Sequence, residues 1–171
     1  LLPNTIYVAY INYKRLGLNE KQIAELEAAM PIEHVLLRGT VTSESIGIKP
    51  ATRTKTLVVN GAWVGANKNP PVGPYLNITS TGTVCITTPC PYFKAAVINT
   101  NYASEIHGLD FEKASLDPDQ QTRAWEAVST TGLIVTGTRY QTIGFDETGA
   151  EPGKGVGVAA TKVFFPYPAK R

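Results

Sequence analysis

Two cysteines are the residues of this chain whose type and spacing most directly indicate chemistry. Cys85 and Cys90 are separated by four residues, a proline lies on either side of Cys90, and the chain has no other cysteine. A disulfide at this spacing staples a tight turn between two strands and stabilises a fold by about 2 kcal/mol. Two buried free thiols are the alternative interpretation. A metal site needs three or four ligands, and a redox C-x-x-C motif needs a shorter spacing, so the spacing favours the disulfide.

The two histidines are candidates for acid–base or metal chemistry. His107 lies close in sequence to Glu105 and Asp110, and His34 follows Glu33 at the start of a predicted strand. On a strand, residues 105 and 107 share one face while residue 110 points to the other. We therefore interpret each histidine as an isolated surface side chain. Since no Ser–His–Asp or Cys–His set is visible, we assign no catalytic, cofactor-binding or metal-ligating residue.

A Gly-rich segment near the C-terminus approximates a phosphate-binding loop. Residues 149–155 (GAEPGKG) are one residue short of G-x-x-x-x-G-K-[ST] and lack the Ser or Thr that would hold Mg²⁺. Asp146, Glu147 and Glu151 offer oxygens to Ca²⁺, but without the spacing of an EF-hand. The segment also joins two predicted strands, so we interpret it as a solvated hairpin turn and expect no cofactor.

Aromatic side chains suggest a binding surface. Tyrosine in strands is mostly half-buried packing, yet such rings also line carbohydrate and peptide grooves. Asn77 opens the glycosylation sequon Asn77-Ile78-Thr79, which matters only in a glycosylating organism. The eight tyrosines and two tryptophans are Tyr7, Tyr10, Tyr13, Tyr75, Tyr92, Tyr102, Tyr140, Tyr167, Trp63 and Trp125.

The composition argues against several classes of protein. The 171 residues include 16 Lys and Arg against 14 Asp and Glu, scattered without the basic stripe of a nucleic-acid binder. No apolar run approaches the ~18 residues that span a bilayer, so we expect neither nucleic acid nor a membrane as partner. The first residues lack Met and a basic leader, as expected for a processed mature chain, and a trimmed chain would look the same.

Two capped helices organise the chain. Asn19 with Gln22, and Asp117 with Gln120, have the spacing of capping boxes, and apolar residues follow each at helical intervals. Pro31 is predicted to end the first helix. The predicted helices cover Glu20–Met30 and Asp119–Val128.

Short strands account for most of the remaining chain. Three prolines within 66–74 rule out a helix or a central strand there, so we interpret this segment as the connection between a first half, 1–65, and a second half, 75–171, of one domain covering 1–171. The predicted strands are Thr5–Ile11, Glu33–Ser43, Lys55–Val64, Tyr75–Ile86, Tyr92–Asn99, Thr131–Ile143 and Val158–Phe165, with a hairpin closed by the cysteine turn and a Gly-rich turn over 144–157.

An internal repeat is visible when the chain is shifted by 98 residues. Residues 11–42 then align with 109–140 without a gap, and five of the 32 pairs are identical. Both windows contain a strand end, a capped helix and a strand with a Gly-Thr pair. This pattern predicts two related strand–helix–strand halves, with chance similarity as the alternative.

Several motifs resemble an uncharacterised family of bacterial secreted proteins, a domain of unknown function. They are Cys85-Ile86-Thr87-Thr88-Pro89-Cys90-Pro91, the following Lys94–Asn99, Gly132–Gly137, Tyr7–Ile11 with Leu16–Leu18, Leu37–Gly39 and Ala62-Trp63. The resemblance covers most of the chain and implies export and a Cys85–Cys90 bridge. Many members carry a further Cys-rich segment upstream, which is absent here. The resemblance implies no catalytic residue.

These observations lead to one interpretation of fold and function. We predict an α+β fold, mainly antiparallel sheet with two short helices in duplicated halves. We expect a secreted or periplasmic, disulfide-stapled binding or structural module that contacts protein through a sheet edge or an aromatic face. A subunit of an extracellular or surface assembly is one form that such a module takes. Binding is preferred over catalysis. The alternatives are an extracytoplasmic hydrolase and a secreted inhibitor that uses the 85–90 loop.

Overall fold

The computed structural model describes residues 6–45, 53–86, 88–143 and 153–168. As predicted, the architecture is α+β with mostly antiparallel strand pairing. The chain divides into an N-terminal unit, Leu1–Val64 with Pro166–Arg171, and a central unit, Gly65–Phe165. The elements are β1 (Tyr10–Asn12), α1 (Glu20–Glu33), β2 (Val35–Ser45), β3 (Arg53–Gly65), β4 (Tyr75–Ser80), β5 (Phe93–Val97), β6 (Ala103–Ile106), β7 (Gly108–Asp110), α2 (Pro118–Thr130), β8 (Leu133–Ile143) and β9 (Lys154–Pro166).

In the N-terminal unit, α1 packs on a hairpin of β2 and β3, and β1 pairs parallel to β3. The predicted capping box starts α1: the Gln22 amide donates to Asn19 Oδ1 at 2.9 Å, and the Asn19 amide donates to Gln22 Oε1 at 3.0 Å. Leu26 of α1 is fully buried with Val59 and Ala62 of β3. One apolar face of a short helix thus closes one side of the hairpin.

The central unit has a larger sheet, in the order β9-β8-β4-β5-β6, with β7 parallel to β9. Helix α2 packs on β4 and β8. Its capping box also forms, with Asp117 Oδ1 accepting from the Gln120 amide at 2.8 Å. Val128 of α2 is buried with Val135 of β8 and Ile78 of β4, so the helix faces the middle of this sheet.

Part of the central unit, from β7 to β9, has the same order of elements as the N-terminal unit. A shift of 98 residues carries the bounds of β1 and β2 onto those of β7 and β8, and a shift of 101 carries β3 onto β9. The helix N-caps Asn19 and Asp117 obey the first shift, as do Gly17 and Ser115, which both adopt left-handed backbone conformations before their helices. The correspondence therefore extends beyond the aligned sequence window to strand pairing.

Each hairpin also carries a bulge at the same place. β3 has one additional residue, Asn60, opposite the step Arg38–Gly39 of β2. β9 has one additional residue, Thr161, opposite the step Thr136–Gly137 of β8. The glycine that the sequence alignment paired between the halves therefore lies inside the strand, at the bulge, in both units.

Several predicted boundaries were wrong. Helix α1 continues through Pro31 to Glu33, because a proline in the last turn forfeits only one backbone hydrogen bond. β4 ends at Ser80 and not at Ile86, and the intervening residues form a loop. The first strand is three residues long and parallel, and β9 begins at Lys154, four residues before the predicted start.

The Pro-rich segment 66–74 folds onto the central unit. The Lys162 side chain, fully buried, donates from Nζ to the carbonyls of Asn67 and Asn69, the latter at 2.9 Å. Thr161 Oγ1 donates to Val72 O at 2.7 Å. Because its prolines have no N–H groups, the segment cannot pair fully with a strand through its backbone. Side-chain donors of β9 bind three of its carbonyls instead.

Candidate functional site

The segment between β4 and β5 is a loop closed by a disulfide. Cys85 and Cys90 are bonded, with Cα atoms 5.7 Å apart, so the predicted disulfide is present. Closer to the strands, the Thr81 amide donates to Tyr92 O and Thr81 Oγ1 donates to Pro91 O, each at 2.9 Å. The loop, whose described residues 81–86 and 88–92 we call the stapled loop, is therefore closed at two levels.

The C-terminal half of the stapled loop rests on the protein. Cys90 is buried, and its carbonyl accepts from the Tyr92 amide at 2.9 Å. A Cβ placed on Gly153 would lie 2.6 Å from Pro89 Cδ, so the glycine before β9 permits the close approach of this proline. Packing on this side and the hydrogen-bonded neck restrict the freedom of the loop.

The other half of the stapled loop presents two aliphatic side chains to solvent. Val84 is 93% exposed and Ile86 is 100% exposed, whereas the next most exposed large apolar residue of the described chain, Tyr7, is 72% exposed. Both flank Cys85, so the disulfide fixes the backbone from which they project. Sequence analysis identified the turn but missed these two residues. Their signal was the apolar-Cys-apolar triplet within a polar turn.

A second feature is a tyrosine lying on glycines in the central unit. Gly157 of β9 pairs with Gly108 of β7 on one side and with Tyr140 of β8 on the other. A Cβ on Gly157 would lie 2.3 Å from Tyr140 Cζ, and one on Gly108 would lie 2.7 Å from the Tyr140 hydroxyl oxygen. Burial, and then the negative charge of Asp110, raise the pKa of Tyr140 above its usual value of 10.0.

In the N-terminal unit, the three paired residues at the corresponding positions have their tyrosine on β1, the counterpart of β7. Thr56 of β3 pairs with Tyr10 of β1 and with Thr42 of β2. Tyr10, which is 55% exposed, lines an open depression of about 550 Å³ together with Thr54 and Thr56. Each unit thus has one tyrosine among these three paired residues, and only the central unit has glycines at the other two positions.

Comparison with known families places the whole chain in one of them. A family model described as a domain of unknown function (DUF6748) matches residues 2–170. The chain belongs to this family. Because the DUF6748 match spans both units and the stapled loop, these features are parts of one family domain. No curated protein and no solved structure matches the chain.

The His107 side chain of this DUF6748 domain hydrogen-bonds to the backbone of β9. Its Nδ1 accepts a hydrogen bond from the Val156 amide at 3.1 Å, and a Cβ on Gly155 would lie 2.8 Å from its ring. Glu105 is exposed on β6, and the neighbour of Asp110 is Tyr140. Among the described residues, no three His, Cys, Asp or Glu side chains converge as metal ligands, and no helix is long and apolar enough to cross a membrane.

His34 occupies the position that follows α1. Its backbone adopts φ 60°, a conformation that is rare for residues other than glycine, and the corresponding position after α2 is Gly132, with φ 86°. The Nδ1 atom of His34 is buried without a hydrogen-bond partner among the described residues. His34 is therefore the residue that ends α1.

The remaining candidate residues fall into two groups. Asn77 lies half-buried on β4 between β5 and β8, and its amide oxygen would lie 2.7 Å from a Cβ on Gly132. Its modification stays a prediction. Asp146, Glu147 and Glu151, with most of the Gly-rich segment, lie outside the described residues.

Proposed function

We propose that this protein is a binding module that presents the stapled loop to a partner protein. The observation that carries the proposal is the full exposure of Val84 and Ile86 on a loop closed by the Cys85–Cys90 disulfide. Full burial of an exposed aliphatic side chain by a partner stabilises the complex by about 1.5–3 kcal/mol. Burial of both side chains together contributes about 3–6 kcal/mol to such an interface.

The rigidity of the stapled loop supports the same role. A loop that is ordered before binding does not pay the entropy of ordering when it binds. The two closures, at Cys85–Cys90 and at Thr81–Tyr92, restrain the described residues of the loop that carry the exposed side chains. Tyr92, which is 42% exposed, adds an amphipathic ring at the neck. The partner we propose has a concave apolar pocket that accepts two aliphatic side chains.

We also propose that the protein works outside the cytoplasm, in a secreted or periplasmic setting. Disulfides persist in oxidising compartments and are rare where cytosolic reductants act. The family resemblance of the sequence motifs points the same way. A module with exposed aliphatic side chains on a stapled loop also fits a subunit of an extracellular or surface assembly.

We further propose that the two units arose by duplication. The sequence shift of 98 residues, the matching element bounds and the matching bulges support this proposal. The strands β4 to β6 have no counterpart among the described residues of the N-terminal unit. The stapled loop belongs to this additional set of strands.

Capture by a matched pair of variants tests the binding function. Wild-type protein, the Val84→Ser/Ile86→Ser double variant and the control variant Val72→Ser are immobilised and exposed to medium and envelope extracts of the source organism. Val72 is 52% exposed in the same unit but outside the loop. The affinity of each variant for the purified captured protein is then measured by calorimetry.

We expect the double variant to lose affinity at least about tenfold, equivalent to about 1.4 kcal/mol, and the control to retain it. A partner that binds all three proteins equally, or the absence of any captured partner, contradicts the proposal. Circular dichroism confirms that the variants fold, which is expected because both side chains project into solvent.

A further inference from the structure

The outer edge of β2 is the most informative surface that the stapled loop does not explain. Among the described residues, β2 pairs only with β3, whereas its counterpart β8 pairs with β9 on one side and with β4 on the other. β4 covers residues 133–136 of β8. The shift of 98 residues carries these onto 35–38 of β2, the same four positions before the bulge.

Side-chain burial differs between β2 and β8, as expected if only β8 is covered by a further strand. Leu133 and Val135 of β8 are buried, whereas Val35 and Leu37 of β2 are only half-buried. Both β2 residues pack against the core of the N-terminal unit. Their outer flank therefore lacks the neighbour that completes the core in the central unit.

The edge has few of the features that protect exposed strands. β2 contains no proline, and residues 35–37 carry no charge. Its bulge does not prevent pairing, because the additional residue, Asn60, is in β3 and β2 itself is regular. In β8, pairing with β4 reaches Thr136, immediately before the same bulge.

From this correspondence, we infer that residues 35–38 of β2 accept an extended segment of a partner polypeptide as an additional antiparallel strand. The structure also indicates the chemistry of the segment. In β4, Leu76 and Ile78 lie opposite Val135 and Leu133 and are buried, and the residue between them is polar. The accepted strand therefore carries two aliphatic residues separated by one polar residue.

In such a complex, the backbone of the partner satisfies the free donors and acceptors of the edge, and its two aliphatic side chains extend the core beside Val35 and Leu37. In this mode of recognition, affinity depends on the alternation of aliphatic and polar residues in the peptide more than on the identity of each side chain. The inference is independent of the stapled loop, which lies in the other unit.

A synthetic peptide with the sequence of residues 74–80 (PYLNITS) is the probe, because its counterpart in the chain occupies the corresponding edge. Binding to the intact protein is measured by fluorescence anisotropy. A control peptide carries Asp in place of both aliphatic residues. A third peptide carries a benzophenone at the position of Asn77, which pairs with Ile134 in the chain and corresponds to a contact with Leu36.

We expect saturable binding of the first peptide, binding at least about tenfold weaker for the Asp peptide, and photo-crosslinks within residues 35–38. The amides of this segment should also exchange more slowly when the peptide is bound. The Val84→Ser/Ile86→Ser variant should bind the peptide unchanged.

Absence of binding, equal binding of the Asp peptide, or crosslinks elsewhere would overturn the inference. Strong protection of the edge amides in the free protein would also overturn it, as would a concentration-dependent dimer that hides residues 35–38 from the peptide. Hydrogen exchange and crosslinking use the unmodified protein, so the test does not depend on a variant that folds.

Discussion

Asn60 accepts a hydrogen bond from Arg38 across the bulge of the N-terminal unit, with 3.1 Å between Oδ1 and Nε. In the central unit, Thr161 occupies the place of Asn60 and shares a hydrogen bond with Thr136, at 3.0 Å between the hydroxyl oxygens. The side-chain types differ, but each additional residue bonds to the residue across from it. The bulge is therefore a defined feature of both hairpins, held by a local polar contact.

The glycines beside these bulges should tolerate no side chain. A Cβ on Gly39 would lie 2.2 Å from Val58 O, and one on Gly137 would lie 2.6 Å from Ala159 O. We expect Gly39→Ala and Gly137→Ala each to lower the free energy of unfolding by about 2 kcal/mol, measured by urea denaturation. Gly17→Ala is the control, with no atom within 4 Å of its Cβ and a cost of about 1 kcal/mol from its positive φ. Equal costs at all three positions would contradict the steric explanation.

Replacement of His34 tests the strain at the end of α1. Its φ of 60° suits glycine, which stands at the corresponding position 132. We expect His34→Gly to be more stable than His34→Ala by about 1 kcal/mol in thermal unfolding, the reverse of the usual order for these residues within helices. Comparison with alanine removes the imidazole in both variants and isolates the backbone effect. An alanine variant as stable as the glycine variant would show that the backbone is not strained.

Lys162 should be essential for the stability of the central unit. Its buried Nζ donates to the carbonyls of Asn67 and Asn69. Lys162→Met keeps the volume but leaves those carbonyls without this donor, and we expect a loss of about 3 kcal/mol in the free energy of unfolding. Lys154→Met, at an exposed position of the same strand, should change it by less than about 0.5 kcal/mol. Similar losses for both variants would contradict the role of the buried amino group of Lys162.

Alkaline pH should destabilise the protein through three tyrosines. Burial raises the pKa of Tyr13, Tyr140 and Tyr167, and the nearby carboxylates of Glu27, Asp110 and Glu25 respectively raise each pKa further. A folded-state pKa above the unfolded value of 10.0 contributes stability that is complete below pH 10 and is lost as pH rises through the folded pKa. We expect Asp110→Asn to lower the pKa of Tyr140 toward 10.0, measured by NMR of the tyrosine ring carbons. An unchanged Tyr140 titration would refute the contribution of Asp110.

Removal of the disulfide should affect the loop more than the fold. The ring closed by Cys85 and Cys90 is small, so we expect Cys85→Ser/Cys90→Ser to lower the free energy of unfolding by about 2 kcal/mol. The affinity for a captured partner should fall with it, because residues 84 and 86 lose their fixed backbone. A variant with full affinity would show that the staple does not order the binding surface.

The sequence predicted the elements whose determinants are local. Both capping boxes formed at Asn19 and Asp117, because a cap depends on residues three positions apart. The strand pattern and the cysteine turn were likewise readable from neighbours in sequence. The positions of the helices and of the longer strands therefore needed no knowledge of the tertiary structure.

The features that sequence analysis missed depend on contacts distant in sequence. The parallel pairing of β7 with β9 joins residues 49 apart, Gly108 with Gly157, and no local pattern announces it. The exposure of Val84 and Ile86 depends on which half of the loop rests on Gly153. The buried Lys162 was hidden because a lysine in a strand normally indicates a solvated face.

The last residues of the described chain complete the first unit. The Tyr167 amide donates to Ala62 O at 2.9 Å, and its hydroxyl donates to Gln22 O at 3.0 Å, a contact between positions 145 apart. A ribosome therefore makes the whole central unit before the N-terminal unit can acquire these contacts. Order of synthesis and order of completion are opposed, because the residues that complete the N-terminal unit are made after the central unit. During that interval the face of α1 that receives Tyr167 is incomplete, and this is the period when a chaperone has the most surface to bind.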